Sequence, residues 1–377
     1  MLTLKGTAVN IHKPIIGRVS FSQVEKEDRS KTIVLNPDSA VQELSQYAAI
    51  IFSNSSAIKA NNVALIFDVD CANSLDEGDV VEIQPSGRIE VIYQRKSLHN
   101  QIFATSKCNS NCVMCPQPIN IPEEDRTESN LRLISLIDRT TQELAFNGGE
   151  PTLLGPDLFR LILACKHFLP ETSILLLTNA RRFKDFDYTH VFSSICHPSI
   201  TISTSLYGDN EIEHDYIVGS KGAFNESILG MLNLATFDNQ IEVRIVIHKY
   251  TYKNLTGIAE YIYRNLTFVG HIAFMGMETI WQAKKNLNAL WVEPDAFILV
   301  LKKAIHLLRQ RGMSVSIYNM PLCLLPRELW QFARRSISDW KNVFDTDCIY
   351  ACSVKNQCAG MFNSGVKTYK QYLKPIL

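Results

Sequence analysis

The chain has 377 residues, of which 46% are hydrophobic and 20% are charged, so at roughly 150 residues per domain it is long enough for two or three globular domains. Its 38 basic side chains are matched by 38 acidic ones, and a balanced surface lacks the polyelectrolyte attraction on which non-specific nucleic-acid binding depends. We therefore expect no nucleic-acid partner.

Targeting signals are the next feature that the sequence allows us to judge. No apolar run reaches the roughly 18 residues that a membrane span needs, and the start, MLTLKGTAVNIHKP, lacks the basic and then apolar layout of a signal peptide. These features predict a cytoplasmic protein with no membrane partner. In that compartment ten cysteines favour metal binding or redox chemistry over disulfide bonds.

Residues 1–98 have the pattern of a small β-rich domain. Runs rich in β-branched residues at 31–35, 63–67 and 80–83 are separated by turn residues, which is typical of short strands. The segment VVEIQPSGRIEVIY, residues 80–93, predicts a hairpin that turns at Pro-Ser-Gly. Residues 40–49 are the one candidate helix, and nothing in this part indicates a role.

Strands and helices alternate between residues 99 and 312. Six apolar runs have the length of strands: IFATS, QELAF, SILLLTN, SITISTS, IEVRIVI and HIAFMG. Between them, residues 156–169 and 294–310 place apolar side chains on one helical stripe. This pattern predicts an α/β fold with a curved or closed parallel sheet, whose functional site lies at the carboxyl ends of the strands. A strand-like SVSIYN then opens a cysteine-bearing C-terminal region, residues 313–377.

The loop after the first of these strands, SKCNSNCVMCPQP, contains Cys108, Cys112 and Cys115 within eight residues. A loop can wrap three thiolates around one soft metal centre. A zinc site needs four protein ligands, and the nearest further candidates are His99 and Cys165. Three ligands instead leave one iron of a four-iron cluster open to a small ligand. The alternatives are a zinc loop and three buried cysteines that act as small apolar residues.

A second motif, NGGEP at residues 147–151, follows the second predicted strand. Gly148 and Gly149 allow the backbone to approach a ligand closely, and Glu150 offers a carboxylate to an ammonium group. A turn of this kind is weak evidence alone. It gains weight because it comes directly after the strand that follows the cysteine loop.

These two motifs resemble the radical S-adenosylmethionine (SAM) superfamily. CNSNCVMC fits its CxxxCxxC signature, and NGGEP looks like its glycine-rich turn, which receives the amino group of SAM. The resemblance implies a partial (β/α)6 barrel of the TIM type, and a 4Fe-4S cluster that is held by the three cysteines and chelated by SAM. It also implies reductive cleavage of SAM to a 5′-deoxyadenosyl radical, which abstracts hydrogen from a substrate.

The resemblance extends to further SAM contacts. ITISTSLYG is similar to the fourth-strand segment of that family, which implies that Ser205 contacts SAM. Thr178 and Asn179 end the third strand, where a contact to SAM is also expected. Arg244, in the fifth strand, is either a ribose or carboxylate contact or an ordinary ion pair.

Two residues near these motifs depart from the family pattern. Tyr207 stands where aspartate is frequent, and Met114 stands before the third cysteine, where an aromatic residue is usual. Neither departure removes a predicted cluster ligand. The resemblance assigns no catalytic side chain of the protein itself.

The C-terminal region carries a second group of cysteines, Cys323, Cys348, Cys352 and Cys358. By spacing alone, zinc and an iron-sulfur cluster are equally good interpretations. The resemblance favours one auxiliary iron-sulfur cluster, in a shortened version of the auxiliary-cluster domain (twitch/SPASM-like) of that family. The remaining cysteines are interpreted as structural: Cys71, Cys165 and Cys196.

The phrases NCVMCPQP, NGGEPTLL, GMETIWQAKKN and YNMPLCLLPRELW with SISDWKN resemble the radical SAM maturase of the His-Xaa-Ser repeat system, over roughly residues 100–365. This implies a ribosomally made precursor with His-Xaa-Ser repeats, a second radical SAM maturase, a small partner protein and a reductant protein. Trp281 departs from the glycine expected there and could narrow the substrate end of the barrel. The alternatives are a radical SAM enzyme acting on a small molecule and a non-catalytic zinc-binding interaction protein.

Overall fold

The computed structural model describes residues 2–36, 44–54, 63–122, 125–335, 342–344 and 346–377. The chain divides into two compact units. The first contains residues 1–102, 125–144 and 160–172, and the second contains residues 103–124, 145–159 and 173–377.

The first unit is built on an eight-stranded sheet. Its strands are β1 (Thr3–Lys5), β2 (Thr7–Val9), β3 (Ile15–Ser20), β4 (Thr32–Leu35), β5 (Ala49–Ile51), β6 (Leu65–Phe67), β7 (Val80–Ile83) and β8 (Arg88–Tyr93). They are arranged in the order β1-β8-β7-β3-β4-β5-β6-β2. The neighbours from β3 to β6 are parallel, whereas the other neighbouring pairs are antiparallel.

This sheet closes on itself at Gly6. The strands β1 and β2 lie at opposite edges of the sheet, yet Gly6 alone separates them in sequence. The Gly6 N–H donates to the carbonyl of Gly87 at 2.9 Å, and a Cβ at Gly6 would lie 2.6 Å from the Ile66 side chain. This one-residue connection brings the two edges together and curves the sheet around an apolar core.

The predictions for this part of the chain fare differently. The hairpin at residues 80–93 is confirmed, because β7 and β8 pair antiparallel around Gly87. The candidate helix at residues 40–49 lies partly outside the described residues, and its described part is not an α-helix. Leu44–Gln46 is a single 3-10 turn, and Ala49 begins β5.

A second eight-stranded sheet contains the strands β9 (Asn100–Phe103), β10 (Glu143–Asn147), β11 (Ser173–Leu177), β12 (Ile200–Ser205), β13 (Gln240–Val246), β14 (His271–Met275), β15 (Val315–Tyr318) and β16 (Ala333–Arg334). They lie side by side in chain order, and all neighbours from β11 to β16 are parallel. This confirms the predicted α/β fold with a parallel sheet, curved into a half-barrel. The six predicted strands are all present, and SVSIYN supplies the seventh.

Helices lie between the strands, as the alternating pattern predicts. They are α1 (Thr127–Leu136), α2 (Pro156–Phe168), α3 (Phe186–Ser194), α4 (Glu211–Val218), α5 (Ala223–Thr236), α6 (Leu255–Asn265), α7 (Trp281–Lys285), α8 (Leu287–Leu290) and α9 (Pro294–Gln310). The predicted stripe on α9 is buried at Phe297, Leu301, Ala304 and Leu308.

The strand β13 has one apolar face and one polar face. In β13 the apolar face carries Ile241, Val243 and Ile245, which are all at most 1% exposed. Successive side chains of a strand point to opposite sides, so Glu242 and Arg244 belong to the other face. The C-terminal region adds β17 (Asn342–Val343), β18 (Met361–Phe362), α10 (Thr346–Ala351) and α11 (Val366–Tyr369).

Candidate functional site

The predicted site residues lie where successive strands of the second sheet end. The cysteine loop follows β9, the NGGEP turn follows β10, and Thr178 and Asn179 follow β11. Ser205 ends β12 and is the register partner of Arg244 in β13. Parallel strands bring their carboxyl ends to one edge of a sheet, so these groups lie on a common edge.

The cysteine loop is fixed in position by its backbone. The Cys108 N–H donates to Oδ1 of Asn120 at 2.9 Å, which ties the two ends of the loop together. The Asn111 N–H donates at 2.8 Å to the last carbonyl of α4, and the Gln282 N–H of α7 donates at 3.2 Å to the carbonyl of Cys115. Elements from distant parts of the sequence therefore set the position of all three cysteines.

Arg181 holds the segment between the first two cysteines, and sequence analysis did not identify it. Its guanidinium donates to the Asn109 carbonyl and, at 3.0 Å, to the Ser110 hydroxyl. The side chain is only 11% exposed, and its charge is paired with Glu226 at 2.6 Å. The available signal was a basic residue four positions after the end of β11, which is too common a feature to single out.

The three cysteines of the loop are partly buried. Burial, together with the nearby Glu150 and Cys115, raises the pKa of Cys108 to about 11. Burial likewise raises the pKa of Cys112, with contributions from Cys115 and Cys108, and it raises the pKa of Cys115. The thiols are therefore protonated in the free protein, and a bound metal has to displace their protons.

Met114 packs beneath the loop. It is 4% exposed and belongs to an apolar cluster with Tyr207 and Ile217, against which Cys112 is also packed. Two residues that depart from the family pattern, Met114 and Tyr207, thus contact the same core. The cysteine loop therefore packs on an apolar surface to which both side chains contribute.

The glycines of the NGGEP turn bring two chain segments close together. A Cβ at Gly148, whose φ is +149°, would lie 2.3 Å from the Thr105 carbonyl oxygen, and a Cβ at Gly149 would lie 2.3 Å from that of Lys107. The Gly149 N–H donates to the Thr105 carbonyl at 2.6 Å. The close approach seen here is thus to the strand that leads into the cysteine loop; approach to a ligand stays a prediction.

Glu150 is buried at the centre of a hydrogen-bond network. It is 1% exposed, and its carboxylate accepts from the Thr152 N–H and hydroxyl, the Thr178 hydroxyl and the Asn179 N–H, at 2.6 to 3.0 Å. Burial raises the pKa of Glu150 in spite of these bonds. A carboxylate has about four acceptor positions, so the protein itself uses the capacity that was predicted to bind an ammonium group.

Thr178 and Asn179 connect the strand ends to the cysteine loop. Beyond its bond to Glu150, Asn179 donates from Nδ2 to Oδ1 of Asn109 at 2.7 Å, between the first two cysteines. The geometry gives both residues a role in positioning the loop. Direct contact with a ligand stays a prediction for each.

Arg244 forms the ion pair that was one of its two predicted roles. Its Nε lies 2.6 Å from Oε1 of Glu242, which also accepts from the Ser203 hydroxyl at 2.7 Å. The other oxygen lies 2.7 Å from Nδ1 of His271, whose Nε2 lies 3.0 Å from the Ser316 hydroxyl. This polar network crosses four neighbouring strands, β12 to β15, and sequence analysis did not identify it beyond Arg244.

The four C-terminal cysteines lie around one narrow cavity that is partly open to solvent. Its other lining side chains are mainly apolar. The Cys358 sulfur accepts from the N–H groups of Leu322 at 3.3 Å and Gly360 at 3.4 Å. Burial raises the pKa of Cys323, with contributions from Cys358 and Cys352. The cysteines that line the cavity are Cys323, Cys348, Cys352 and Cys358.

The two groups of cysteines can be compared with the zinc ion or iron-sulfur cluster that each is predicted to bind. Within the described ranges, no group of three or more His, Cys, Asp or Glu side chains could hold a metal ion as placed. An iron-sulfur cluster makes a different demand, because each thiolate binds its own iron and the sulfurs surround the cluster. Three soft ligands on one fixed loop fit that demand, as do four thiols around one cavity with N–H groups on a sulfur.

The three remaining cysteines differ in their surroundings. Cys165 is fully buried on α2, in agreement with a structural role. Cys71 and Cys196 are exposed in turns, with φ of +57° and +51°. These two cysteines therefore do not act as buried apolar residues.

No helix in the part of the chain that the structure describes is long and apolar enough to cross a membrane.

Comparison with known proteins finds similarity in structure alone. No protein-family model and no curated protein matches the sequence. Among solved structures, Streptococcus suis SuiB matches 68% of this chain with 14% identity and a TM-score of 0.48. A second SuiB structure, bound to the precursor peptide SuiA, matches 59% of this chain with 14% identity and a TM-score of 0.47. This chain spans about half the length of SuiB, 56% and 48% in the two structures.

Two other solved structures are similar over a comparable part of the chain. The match to the anSMEcpe structure with bound AdoMet and the Kp18Cys peptide covers 58% of this chain and 62% of the anSMEcpe chain, with 18% identity and a TM-score of 0.47. The match to a radical SAM methyltransferase from Sphaerobacter thermophilus covers 63% of this chain and 72% of the methyltransferase chain, with 12% identity and a TM-score of 0.44.

Proposed function

We propose that this chain is a radical SAM enzyme that modifies a ribosomally made peptide. The observation that carries the proposal is the cysteine loop: three thiols with CxxxCxxC spacing, on a loop that is held at the carboxyl edge of a parallel sheet by α4, α7 and the turn after β11. A purely structural role for these thiols would not require such a loop, since buried cysteines pack equally well on helices, as Cys165 does.

In this proposal Cys108, Cys112 and Cys115 hold a 4Fe-4S cluster, and SAM binds beside it. Together these groups supply one-electron cleavage of a carbon-sulfur bond and hence a radical able to take hydrogen from an unactivated carbon. The protein's contribution is positioning. The Glu150, Thr178 and Asn179 network fixes the turns around the cluster site, and the sheet interior holds the substrate near the reacting atoms and excludes water.

The finer assignments rest on the sequence resemblance. They are a precursor with His-Xaa-Ser repeats as substrate, a second radical SAM maturase and a small protein as partners, a reductant protein as electron donor, and a cytoplasmic location. The four C-terminal cysteines hold an auxiliary iron-sulfur cluster in this proposal. Their arrangement around one apolar cavity supports a shared metal centre at that position.

The test is anaerobic purification and reconstitution of the full chain with iron and sulfide. We expect a brown protein with about four irons at the first site and more with the second, and 5′-deoxyadenosine from SAM under reducing conditions. Cys112→Ala should abolish this cleavage, whereas Cys196→Ala, an exposed cysteine far from both groups in sequence, should not. A colourless protein that contains zinc alone and leaves SAM intact would falsify the proposal and favour the zinc-binding interaction protein.

The substrate class needs a separate experiment. Mass spectrometry of the polypeptide encoded beside this gene, with and without the enzyme and SAM, should show a mass change confined to its His-Xaa-Ser repeats. An unchanged polypeptide, together with turnover of a small molecule, would support the alternative of a small-molecule radical SAM enzyme.

A further inference from the structure

Tyr207 is buried beside the cysteine loop although it lies two residues beyond the end of β12. It is 8% exposed, and its backbone N–H donates to Nδ1 of His214 at 3.2 Å. Its ring lies nearly parallel to that of His214, with centroids 6.0 Å apart, and 6.3 Å from the ring of His248. The ring therefore has a fixed orientation, set by two buried imidazoles.

Both of these imidazoles are neutral. Burial lowers the pKa of His214 to about 4 and that of His248 to about 3. Nδ1 of each ring accepts a backbone N–H, from Tyr207 and Tyr250 respectively. Neither histidine therefore places a positive charge beside the apolar cluster on which the cysteine loop packs.

The Tyr207 side chain lies in the same buried apolar cluster as Met114, and Cys112 packs against that cluster. A phenol has an ordinary pKa of roughly 10, so it carries an O–H that can donate a hydrogen bond. A sulfur atom held at Cys112 is an acceptor on this side of the ring.

We propose that the Tyr207 hydroxyl donates one hydrogen bond to a sulfur atom on the Cys112 side of the iron-sulfur cluster and thereby raises the reduction potential of that cluster. This inference rests on the proposed function, because it needs a cluster at the first three cysteines. The geometry behind it is the shared packing of Tyr207, Met114 and Cys112 in one buried cluster.

The physical reason is the charge that reduction adds. A cluster held by thiolates in an apolar pocket becomes more negative when it accepts an electron, and a donor fixed at its sulfurs stabilises the reduced form more than the oxidised form. Removing the phenol hydroxyl alone, with the ring kept, therefore isolates its effect on the potential.

The test compares Tyr207→Phe with wild type in the full, reconstituted chain, by redox titration monitored by electron paramagnetic resonance. The signal that is missing in Cys112→Ala identifies the first cluster. We expect about a tenfold smaller equilibrium constant for its reduction in Tyr207→Phe, which is a shift of about 59 mV to more negative potential for a one-electron couple. Tyr261→Phe removes a phenol on α6 and should leave the potential unchanged.

Equal iron and sulfide content in the variants makes the comparison valid. An unchanged potential in Tyr207→Phe at equal loading overturns the proposal. If Tyr207→Phe does not retain iron, wild-type protein that contains ring-deuterated tyrosine gives the answer: deuterium coupling to the reduced first cluster is expected, and its absence overturns the proposal. Wild-type protein that never binds iron contradicts the proposed function itself, a result distinct from either of these.

Discussion

The Thr178 hydroxyl lies 2.6 Å from Oε1 of Glu150, so the turn after β11 is bonded directly to the turn after β10. The Asn179 N–H reaches the other oxygen of the same carboxylate at 2.6 Å. Glu150 is thus a buried connector between two strand ends, each of which also contacts the cysteine loop.

Glu150→Gln should therefore destabilise the fold. The amide of glutamine has one acceptor oxygen, and its NH2 group cannot accept from the Thr152, Thr178 or Asn179 donors. At least one buried donor would lose its acceptor, which should lower the free energy of unfolding by about 1 to 3 kcal/mol. Thermal denaturation should show a lower melting temperature. Glu171→Gln, at an exposed position, is the matched control and should melt like wild type. Equal melting temperatures for both variants would contradict the connector role.

Arg181→Met should loosen the first half of the cysteine loop. The substitution keeps most of the apolar stem but removes the donors to Asn109 and Ser110, and it leaves Glu226 without its buried partner. We expect fewer iron atoms per protein chain at the first site after reconstitution. Circular dichroism should confirm that the variant has the same secondary structure as wild type. Arg182→Met, whose guanidinium lies over the Tyr188 ring, should load iron normally. Full iron loading of Arg181→Met would show that the loop does not depend on this clamp.

The sequence was most informative where local pattern decides the structure. Apolar and β-branched residues are concentrated in strands, so IEVRIVI and SILLLTN were recognisable, and the cysteine spacing on one loop was visible directly. Arg181 and His271 were not, because the partners of the Arg181 side chain lie 39 to 72 residues away in the chain and those of His271 lie 29 and 45 residues away. Only the fold brings such pairs together, and the same holds for Cys323 and Cys358 at one cavity.

Cys352→Ala should separate the two groups of cysteines. The substitution removes one thiol from the C-terminal cavity and leaves the loop at Cys108 to Cys115 intact. We expect a lower total iron content, with SAM cleavage retained and formation of modified peptide more strongly reduced. Quantifying 5′-deoxyadenosine and product in the same reaction measures the split, and Cys71→Ala, an exposed cysteine of the first unit, is the control. Parallel loss of both activities in Cys352→Ala would mean that the two groups do not have separate roles.

Glu242 should make the stability of the protein depend on acid. Burial alone would raise the pKa of Glu242, but hydrogen bonds from His271, Arg244 and Ser203 and the Arg244 charge outweigh it and lower the pKa to about 2, from 4.5 in a free side chain. A carboxyl whose pKa is lower in the folded state stabilises the fold above its unfolded pKa. That contribution, about 3 kcal/mol for a side chain that is 8% exposed, is lost as the pH falls from 4.5 towards 2.

Urea denaturation at a series of pH values measures this dependence. Wild type should lose stability between pH 4.5 and 2 more steeply than Glu242→Gln, which has no carboxyl to protonate at this position and should already be less stable at pH 7. Glu260→Gln, in an exposed pair with Arg264 on α6, should keep the wild-type slope, since an exposed ion pair contributes little. Identical slopes for wild type and Glu242→Gln would show that the network across β12 to β15 does not hold this carboxylate in its charged form.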